Sequence, residues 1–378
     1  MRILVLGRNV PTSHYPTQGI FEYNHALALH EHGHEVTYAA VDVRSIRRRR
    51  PATLTTRQHG MPAHAISIPL GRVPIRALTS ATNAGLQVLY SRLYPRGARP
   101  DLIHSHFLGV GTSALALAQS KKLPLIHTEH FSELLQEPMR PPVRKRAQLL
   151  YKSADGVIAV SPTLRDVIEK EFSVPVVVAP NPIDTSLFTA ANRRHNGFRV
   201  LTVANLVPIK RIDLAIRAFH AGFDCAPGAE LTIVGDGPER AHLESLVMEL
   251  GLHDQVTFTG ARDQQFVADA YRASDVFLLT SKRETFGVVF AEALLSGVPV
   301  VTTRCGGPEH FLNASNSIIV AEDGVNELAA ALRELRQNRS RYDTHLISAS
   351  AISEFSRRAV ADRMDAAYKH FGIHASVS

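Results

Sequence analysis

Tryptophan is absent from this 378-residue chain, and cysteine is nearly so, with two in all. Cys225 and Cys305 stand far apart without metal-type spacing, which argues against both a disulfide-stapled secreted scaffold and a cysteine-ligated zinc. Cys305, in a loop beside two glycines, is the better candidate for a thiol with a role beyond packing. Long apolar runs are missing too: nothing approaches the ~18 residues of a membrane-spanning helix. The opening "MRILVLGR" has a short apolar run and no small-residue cleavage site, unlike a signal peptide, so a cytosolic protein is expected. Charge of one sign dominates only the first half. Residues 1–185 hold 22 Lys/Arg against 13 Asp/Glu, a net +9, whereas the remainder holds 20 against 22, a net −2. An anionic partner for the first half alone is the implication.

At 45% hydrophobic content the chain is globular, and its length suits two domains of about 150 residues or more. Strand and helix patterns alternate throughout. In the first half, "ILVLG", "HEVTYAAV", "HAISIPL", "DLIHSHF", "PLIHTEH", "GVIAVS" and "PVVVAP" read as strands. Helical patterns lie between most of them, among them "GIFEYNHALALHEHG", which Gly33 is placed to end. Continuous Val/Ile/Leu runs indicate strands covered on both faces, hence a parallel, doubly wound sheet. The proline-containing segment 179–197 breaks the pattern and reads as a linker. Alternation then resumes through "FRVLTVAN", "ELTIVGDG", "QVTFTG", "DVFLLTS", "VPVVTT" and "SIIVA", which predicts a second sheet of about six strands. Two α/β domains facing across a cleft follow, with ligands beyond the carboxyl ends of the strands.

A nicotinamide enzyme would suit that architecture, but "GRNVPTSHYPTQG" after the first strand does not fit G-x-G-x-x-G. "GDGPER" lacks the third glycine, and no P-loop occurs. The distinctive stretch is instead "KRETFGVVFAEALLSGVPVVTTRCGGPE" (282–309). Phe286 to Leu295 is apolar on every face except for Glu292, as in a buried helix, and Gly297 and Pro299 end it. An ionised carboxylate there is costly unless hydrogen-bonded. Its partner is either the protein itself or a ligand, and vicinal hydroxyls such as those of a ribose suit two carboxylate oxygens. Phe286 and Gly287 sit where the helix begins, so free backbone N–H groups and the positive dipole end make a phosphate site. Glu284, just ahead, can reach past the phosphate to whatever is attached.

"ETFGVVFAE" resembles the E-x7-E signature of glycosyltransferase family 4, the retaining sugar-nucleotide transferases with a GT-B fold. "LTVANLVPIKRIDLAIRAF", "IVGDGPE", "ADGVIAVSPTL", "APNPID" and "TQGIFEYNHALALHEHGHEV" extend the resemblance over nearly the whole chain. It implies two Rossmann-like domains. The first, residues 1–182, faces the acceptor. The second, 183–354, binds the donor, and a terminal helix of about 355–378 packs back onto the first.

Carried over by resemblance, Glu292 binds the ribose hydroxyls, Glu284 the transferred sugar, and the amides of Phe286, Gly287 and Val288 the diphosphate. Lys210 fits the lysine that neutralises the leaving diphosphate. The arginine five residues earlier is replaced by Asn205, which can donate a hydrogen bond but carries no charge. Arg211, standing where the family often has glycine, is one candidate to compensate, and Arg283 and Arg304 are others. Gly19 matches the glycine loop that approaches the phosphates, although Gln18 replaces half of the usual glycine pair. Asp236 and Arg262 correspond to positions near the base.

Four histidines end strands of the first domain: His104, His106, His127 and His130. His104 and His106, two apart on a strand, share a face whereas His127 and His130, three apart, do not, and with no Asp/Cys cluster beside them a metal site is disfavoured. His130 matches a family histidine near the sugar C6, and Glu129 is a plausible acceptor-side group.

The expected activity is retaining transfer from a nucleotide-sugar, UDP-linked by default and without metal, to a glycan or lipid-linked acceptor. Alternatives are a GT-B sugar-nucleotide epimerase and a non-catalytic sugar-nucleotide-binding adaptor. The "P-x-x-G-I-F" opening and "TEH" resemble bacterial exopolysaccharide and teichuronic-type transferases, which implies cell-surface polysaccharide synthesis. The basic runs at 44–50 and 140–148 and the amphipathic pattern at 73–94 suit a solvated face or docking onto an anionic bilayer. No nucleic-acid-binding module is recognisable.

Overall fold

Eight strands form the first sheet: β1 (Arg2–Gly7), β2 (Glu35–Asp42), β3 (Thr53–Gln58), β4 (Met61–Ser67), β5 (Leu102–His106), β6 (Leu125–Glu129), β7 (Gly156–Ala159) and β8 (Val176–Val178). Their order is β3-β4-β2-β1-β5-β6-β7-β8. In the computed structural model every pair is parallel except β3 with β4. The structure describes all residues but 13, 16–17, 44–49, 72, 96, 192–196, 224–227, 322–323 and 375–378. Cys225 and, apart from Arg50, the basic run at 44–50 therefore lie outside the described residues.

The antiparallel edge strand β3 departs from the expected purely parallel sheet. Its sequence TLTTRQ contains one aliphatic residue, so it carries none of the Val/Ile runs that mark the buried strands. β1, β5, β6 and β7, by contrast, are almost wholly buried. They are covered by α1 (Ile20–Glu31), α2 (Ile75–Leu93), α3 (Leu108–Lys121), α4 (Pro141–Ser153) and α5 (Pro162–Phe172). Ile3, Val5, Leu27, Tyr38, Leu102, Ile126 and Ile158 share one core.

The second sheet is wholly parallel, in the order β11-β10-β9-β12-β13-β14. Its strands are β9 (Phe198–Val203), β10 (Ala229–Val234), β11 (Val256–Gly260), β12 (Val276–Leu279), β13 (Val300–Thr303) and β14 (Ser317–Val320). Around it lie α6 (Ile212–Phe223), α7 (Arg240–Glu249), α8 (Gln264–Arg272), α9 (Val288–Leu295), α10 (Val325–Gln337) and α11 (Thr344–Phe355).

The chain divides into one unit of Met1–Pro182 with Arg357–Ser378 and another of Ile183–Ser356. The second unit thus runs through α11. The last helix, α12 (Arg357–His370), packs on α1 of the first unit, where Arg357 pairs with Glu31 at 3.0 Å and Asp365 meets His34 at 2.8 Å. The main chain of Ile183 donates to the Phe355 carbonyl at 2.9 Å, so the second unit's first and last residues are tied together.

Candidate functional site

Parallel β-structure gathers the loops after each strand along one edge, and in the second unit nearly every residue singled out from the sequence lies on that edge. Asn205 follows β9, Asp236 follows β10, Arg262 follows β11, Ser281 to Glu284 follow β12, and Arg304 to Gly307 follow β13.

The segment between β12 and α9 is held by its backbone. The Glu284 amide donates to the Cys305 carbonyl at 2.7 Å, and the Gly307 amide donates to the Glu284 carbonyl at 2.9 Å. Glu284 is thereby pinned to the loop after β13, and its side chain meets two groups. Lys210 Nζ lies 2.5 Å from Glu284 Oε1, and the Ser281 hydroxyl donates to the same oxygen at 2.7 Å. Lys210 ends a short 3₁₀ turn, Pro208–Lys210, whose Ile209 carbonyl accepts from the Lys282 amide at 2.8 Å. Two residues 74 positions apart are thus brought into one ion pair.

Phe286 is buried against Phe311 and Phe355, which anchors the start of α9. Gly287 caps that helix with φ 81°, and a Cβ there would stand 2.6 Å from Pro308 Cγ. Only glycine is comfortable in both respects. No side chain caps α9, and although the Phe290 amide donates to the Gly287 carbonyl at 3.0 Å, a helix start of this kind favours an anion.

Glu292 lies one turn further on and is 9% exposed. Burial pushes its carboxyl up to about 8, against a smaller opposing effect from the Tyr271 hydroxyl. That hydroxyl, from α8, also donates to the Val289 carbonyl at 2.8 Å. Among the described residues no lysine, arginine or histidine pairs with Glu292. Tyr271 was not singled out in the sequence. It lies 21 positions away, and only the packing of α8 on α9 brings it in.

Two of the three arginine candidates for replacing charge at Asn205 are otherwise engaged. Arg211 donates to the Thr280 and Ser281 carbonyls and to the Thr303 hydroxyl. Arg304 pairs with Glu309 at 2.8 Å. Asn205 itself is exposed, and its side chain makes no hydrogen bond among the described residues. Asp236 accepts from the Gly237 amide at 2.8 Å and pairs with Arg240 at 3.3 Å, which shapes its own turn. Arg262 is exposed and lies over the Phe266 ring, 4.9 Å from its centroid. Cys305 is buried, and its thiol is pushed up to about 12, chiefly by burial. Burial therefore disfavours a reactive thiolate there.

In the first unit Gly19 opens α1 with φ 80°, and a Cβ would stand 2.2 Å from the Asn9 carbonyl oxygen. Gln18 does not project freely: its Oε1 accepts from Asn9 Nδ2 at 3.2 Å and from Arg50 at 2.8 Å. Arg50 also donates to Asn9 Oδ1 and pairs with Asp42 at 3.3 Å. This clasp could not have been read from an arginine run alone.

His130 is buried, with Nε2 3.0 Å from His106 Nδ1 and its ring stacked on Phe107. His104 bridges Tyr368 and Thr128 at 2.6 and 2.7 Å, and His25 meets Asn181 at 3.2 Å. Burial holds His104, His106 and His130 well below the usual imidazole range and His25 at about 4. His130 is therefore neutral at pH 7 and can take part as a hydrogen-bonding group.

The acceptor-side role considered for Glu129 does not hold. It is fully buried and accepts from the amides of His130 and Phe131, the Tyr151 hydroxyl and His127. Burial alone would raise its pKa, but these hydrogen bonds outweigh it and keep the carboxylate ionised. It is a structural anchor.

Residues 19–187 match the family described as Glycosyltransferase Family 4, and residues 197–338 match Glycosyl transferases group 1. Mannosylfructose-phosphate synthase of Agrobacterium fabrum is 28% identical over 245 residues, 55% of this chain and 54% of that protein. D-inositol 3-phosphate glycosyltransferase of Paenarthrobacter aurescens is 27% identical over 296 residues, 71% and 72% of the two chains. The chain spans little more than half the length of several curated relatives it matches.

Sucrose-phosphate synthase from Thermosynechococcus elongatus superposes with a TM-score of 0.80 at 21% identity, covering 98% of this chain and 99% of that one. Anabaena HepE, solved with UDP and glucose, superposes with 0.75 at 20% identity, covering 98% and 100%. With both halves matched and the sheet topology shared, the chain belongs to glycosyltransferase family 4 and has the GT-B fold.

Proposed function

We propose that this protein is a retaining glycosyltransferase that moves a sugar from a UDP-sugar to a glycan or lipid-linked acceptor in cell-surface polysaccharide synthesis. The observation carrying the reading is the Lys210–Glu284 pair at 2.5 Å beside the uncapped head of α9, with Glu292 buried one turn on and lacking a cationic partner. Each group matches a need of the reaction. The leaving diphosphate gains charge as the glycosidic bond breaks, and α9 N–H groups with Lys210 offset it without a metal. Glu292 accepts from the ribose hydroxyls. Glu284 orients the sugar, and His130, neutral, contributes a hydrogen bond to it. Retention follows from same-face attack, with a donor phosphate oxygen taking the acceptor proton. UDP is the default nucleotide, and HepE, solved with UDP and glucose, supports that choice.

Among the described residues no helix is long and apolar enough to cross a membrane. A cytoplasmic protein that reaches a lipid-linked acceptor would dock peripherally. The exposed Leu149 between Lys145 and Lys152 on α4 favours this, although Arg140 and Arg144 are engaged by Glu133 and Glu171.

The test is turnover of a panel of UDP-sugars with and without acceptor. Loss of turnover in Glu284→Ala, with UDP binding retained, is the expected result. Acceptor-independent conversion of the UDP-sugar would instead identify an epimerase. UDP-sugar binding with no turnover under any condition would leave only an adaptor.

A further inference from the structure

Arg211 directly follows Lys210 and adopts φ 49°, the left-handed region that L-residues other than Asn and Asp seldom enter. A glycine would take this conformation at no steric cost, so an arginine here must gain something in return. The gain is visible around its guanidinium. Nε donates to the Thr280 carbonyl at 2.7 Å, and Nη2 donates to the Ser281 carbonyl at 3.3 Å and to the Thr303 hydroxyl at 3.0 Å. Its own carbonyl accepts from the Thr280 hydroxyl at 2.6 Å. The Thr303 hydroxyl in turn reaches the Ser281 carbonyl at 3.2 Å.

One side chain therefore stitches the turn that ends in Lys210 to the carboxyl ends of β12 and β13. The two ends of this stitch matter. On one side is Lys210, the adjacent residue. On the other is Ser281, whose hydroxyl holds Glu284 Oε1 at 2.7 Å. A guanidinium spread over two carbonyls and a hydroxyl is aimed at protein, not at an incoming phosphate. Its planar fork suits several fixed acceptors at once, which a lysine ammonium on a flexible stem matches poorly.

We propose that Arg211 is a positioning residue for the reaction: it sets the separation of Lys210 and Glu284 without touching the donor. The proposal rests on the reading of those two residues as donor-site groups.

Arg211→Gly is the informative variant, because glycine accepts the left-handed backbone while removing the clasp. With a UDP-sugar that the wild type turns over, kcat is expected to fall about 10- to 100-fold, the range a small misplacement of reacting groups produces. The donor KM and the dissociation constant of UDP should stay within about threefold. Arg211→Lys should recover part of kcat. Wild-type kcat in Arg211→Gly would overturn the proposal. So would a UDP affinity that falls in step with kcat, which would make Arg211 a phosphate ligand.

A crystal structure of the Arg211→Gly variant, or of Arg211→Lys if the former fails to fold, gives a readout independent of activity. The Lys210 Nζ–Glu284 Oε1 contact is expected to lengthen beyond hydrogen-bond range, and an unchanged pair would refute the positioning role. Absence of turnover in the wild type would count against the proposed function alone and leave this structural arm decisive.

Discussion

Replacing Glu292 by glutamine should make the donor-free protein more stable and the nucleotide complex weaker. The Glu292 carboxyl titrates near 8 in the folded chain, against an ordinary value of 4.5, because burial disfavours its charge. The folded state therefore holds a proton between pH 4.5 and 8 that the unfolded chain has given up. Stability contributed by this group is full below pH 4.5 and lost as pH rises, by about 1.4 kcal/mol per unit up to pH 8. At pH 7 the loss is about 3 kcal/mol. Glutamine does not ionise and escapes it. The variant should melt roughly 5–10 °C higher at pH 7 and match the wild type near pH 4.5.

Binding reverses the preference. On the proposed site two ribose hydroxyls would donate to an ionised carboxylate, so nucleotide binding would expel the proton. At pH 7 about 0.9 of a proton should leave Glu292 per UDP bound, and affinity should rise about tenfold between pH 7 and pH 9. Calorimetry of UDP binding in buffers of different ionisation enthalpy reads that proton, and Glu292→Gln supplies the background from the nucleotide's own phosphate. Equal proton counts and equal UDP affinities in the two proteins would refute the assignment of Glu292 to the ribose.

Lys210→Ala should lower kcat about 10²–10³-fold, the usual cost of removing one donor to a developing charge. Because that ion pair is largely buried, with Glu284 only 11% exposed, losing Lys210 leaves the carboxylate without its cation, and the variant's stability should fall by about 1–3 kcal/mol, measured by urea unfolding. Asn205→Arg adds a cation at the exposed end of β9. It should tighten UDP binding and steepen its dependence on salt, and an unchanged affinity would place Asn205 away from the diphosphate. The first unit should be acid-sensitive: His25, His104, His106 and His130 are all held below 6.5 in the fold, chiefly by burial. The unfolded chain then takes up protons first, and stability falls below pH 6.5 by up to about 1.4 kcal/mol per unit for each histidine. Urea midpoints of the first unit's transition at pH 7.5 and 5.0 read this loss, and identical values would contradict it.

Both sheets were legible in the sequence because buried parallel strands must be apolar on both faces, and "ILVLG" or "DVFLL" cannot be mistaken for a solvated surface. β3 was not, since an edge strand paired on one side tolerates TLTTRQ. The head of α9 could be read from local chemistry alone: an all-apolar helix, a glycine at its start and a lone acid within it. The Lys210–Glu284 pair could not, because its members are 74 positions apart and their meeting depends on β9 and β12 lying side by side. Local reading went astray for the same reason at Glu129 and Arg211. Each looked like a charged group near a loop, and each is held by partners from elsewhere in the chain: Tyr151 for Glu129, and Thr280, Ser281 and Thr303 for Arg211.

That consumption bears on how the donor is recognised. Asn205 brings no charge, Arg211 is turned toward carbonyls, and Arg304 is paired with Glu309. Lys210, the cation assigned to the diphosphate in the proposed site, is paired with Glu284. A bare diphosphate that captured Lys210 would strand the Glu284 carboxylate with the Ser281 hydroxyl alone, and a largely buried charge deprived of its cation is costly. A sugar diphosphate avoids that cost, because its sugar hydroxyls can donate to Glu284 as its phosphate takes Lys210. One ion pair is exchanged for two sets of contacts on a single molecule. On the proposed site the pair would couple recognition of the two halves of the donor, so sugar and phosphate linked together should bind more tightly than either part alone.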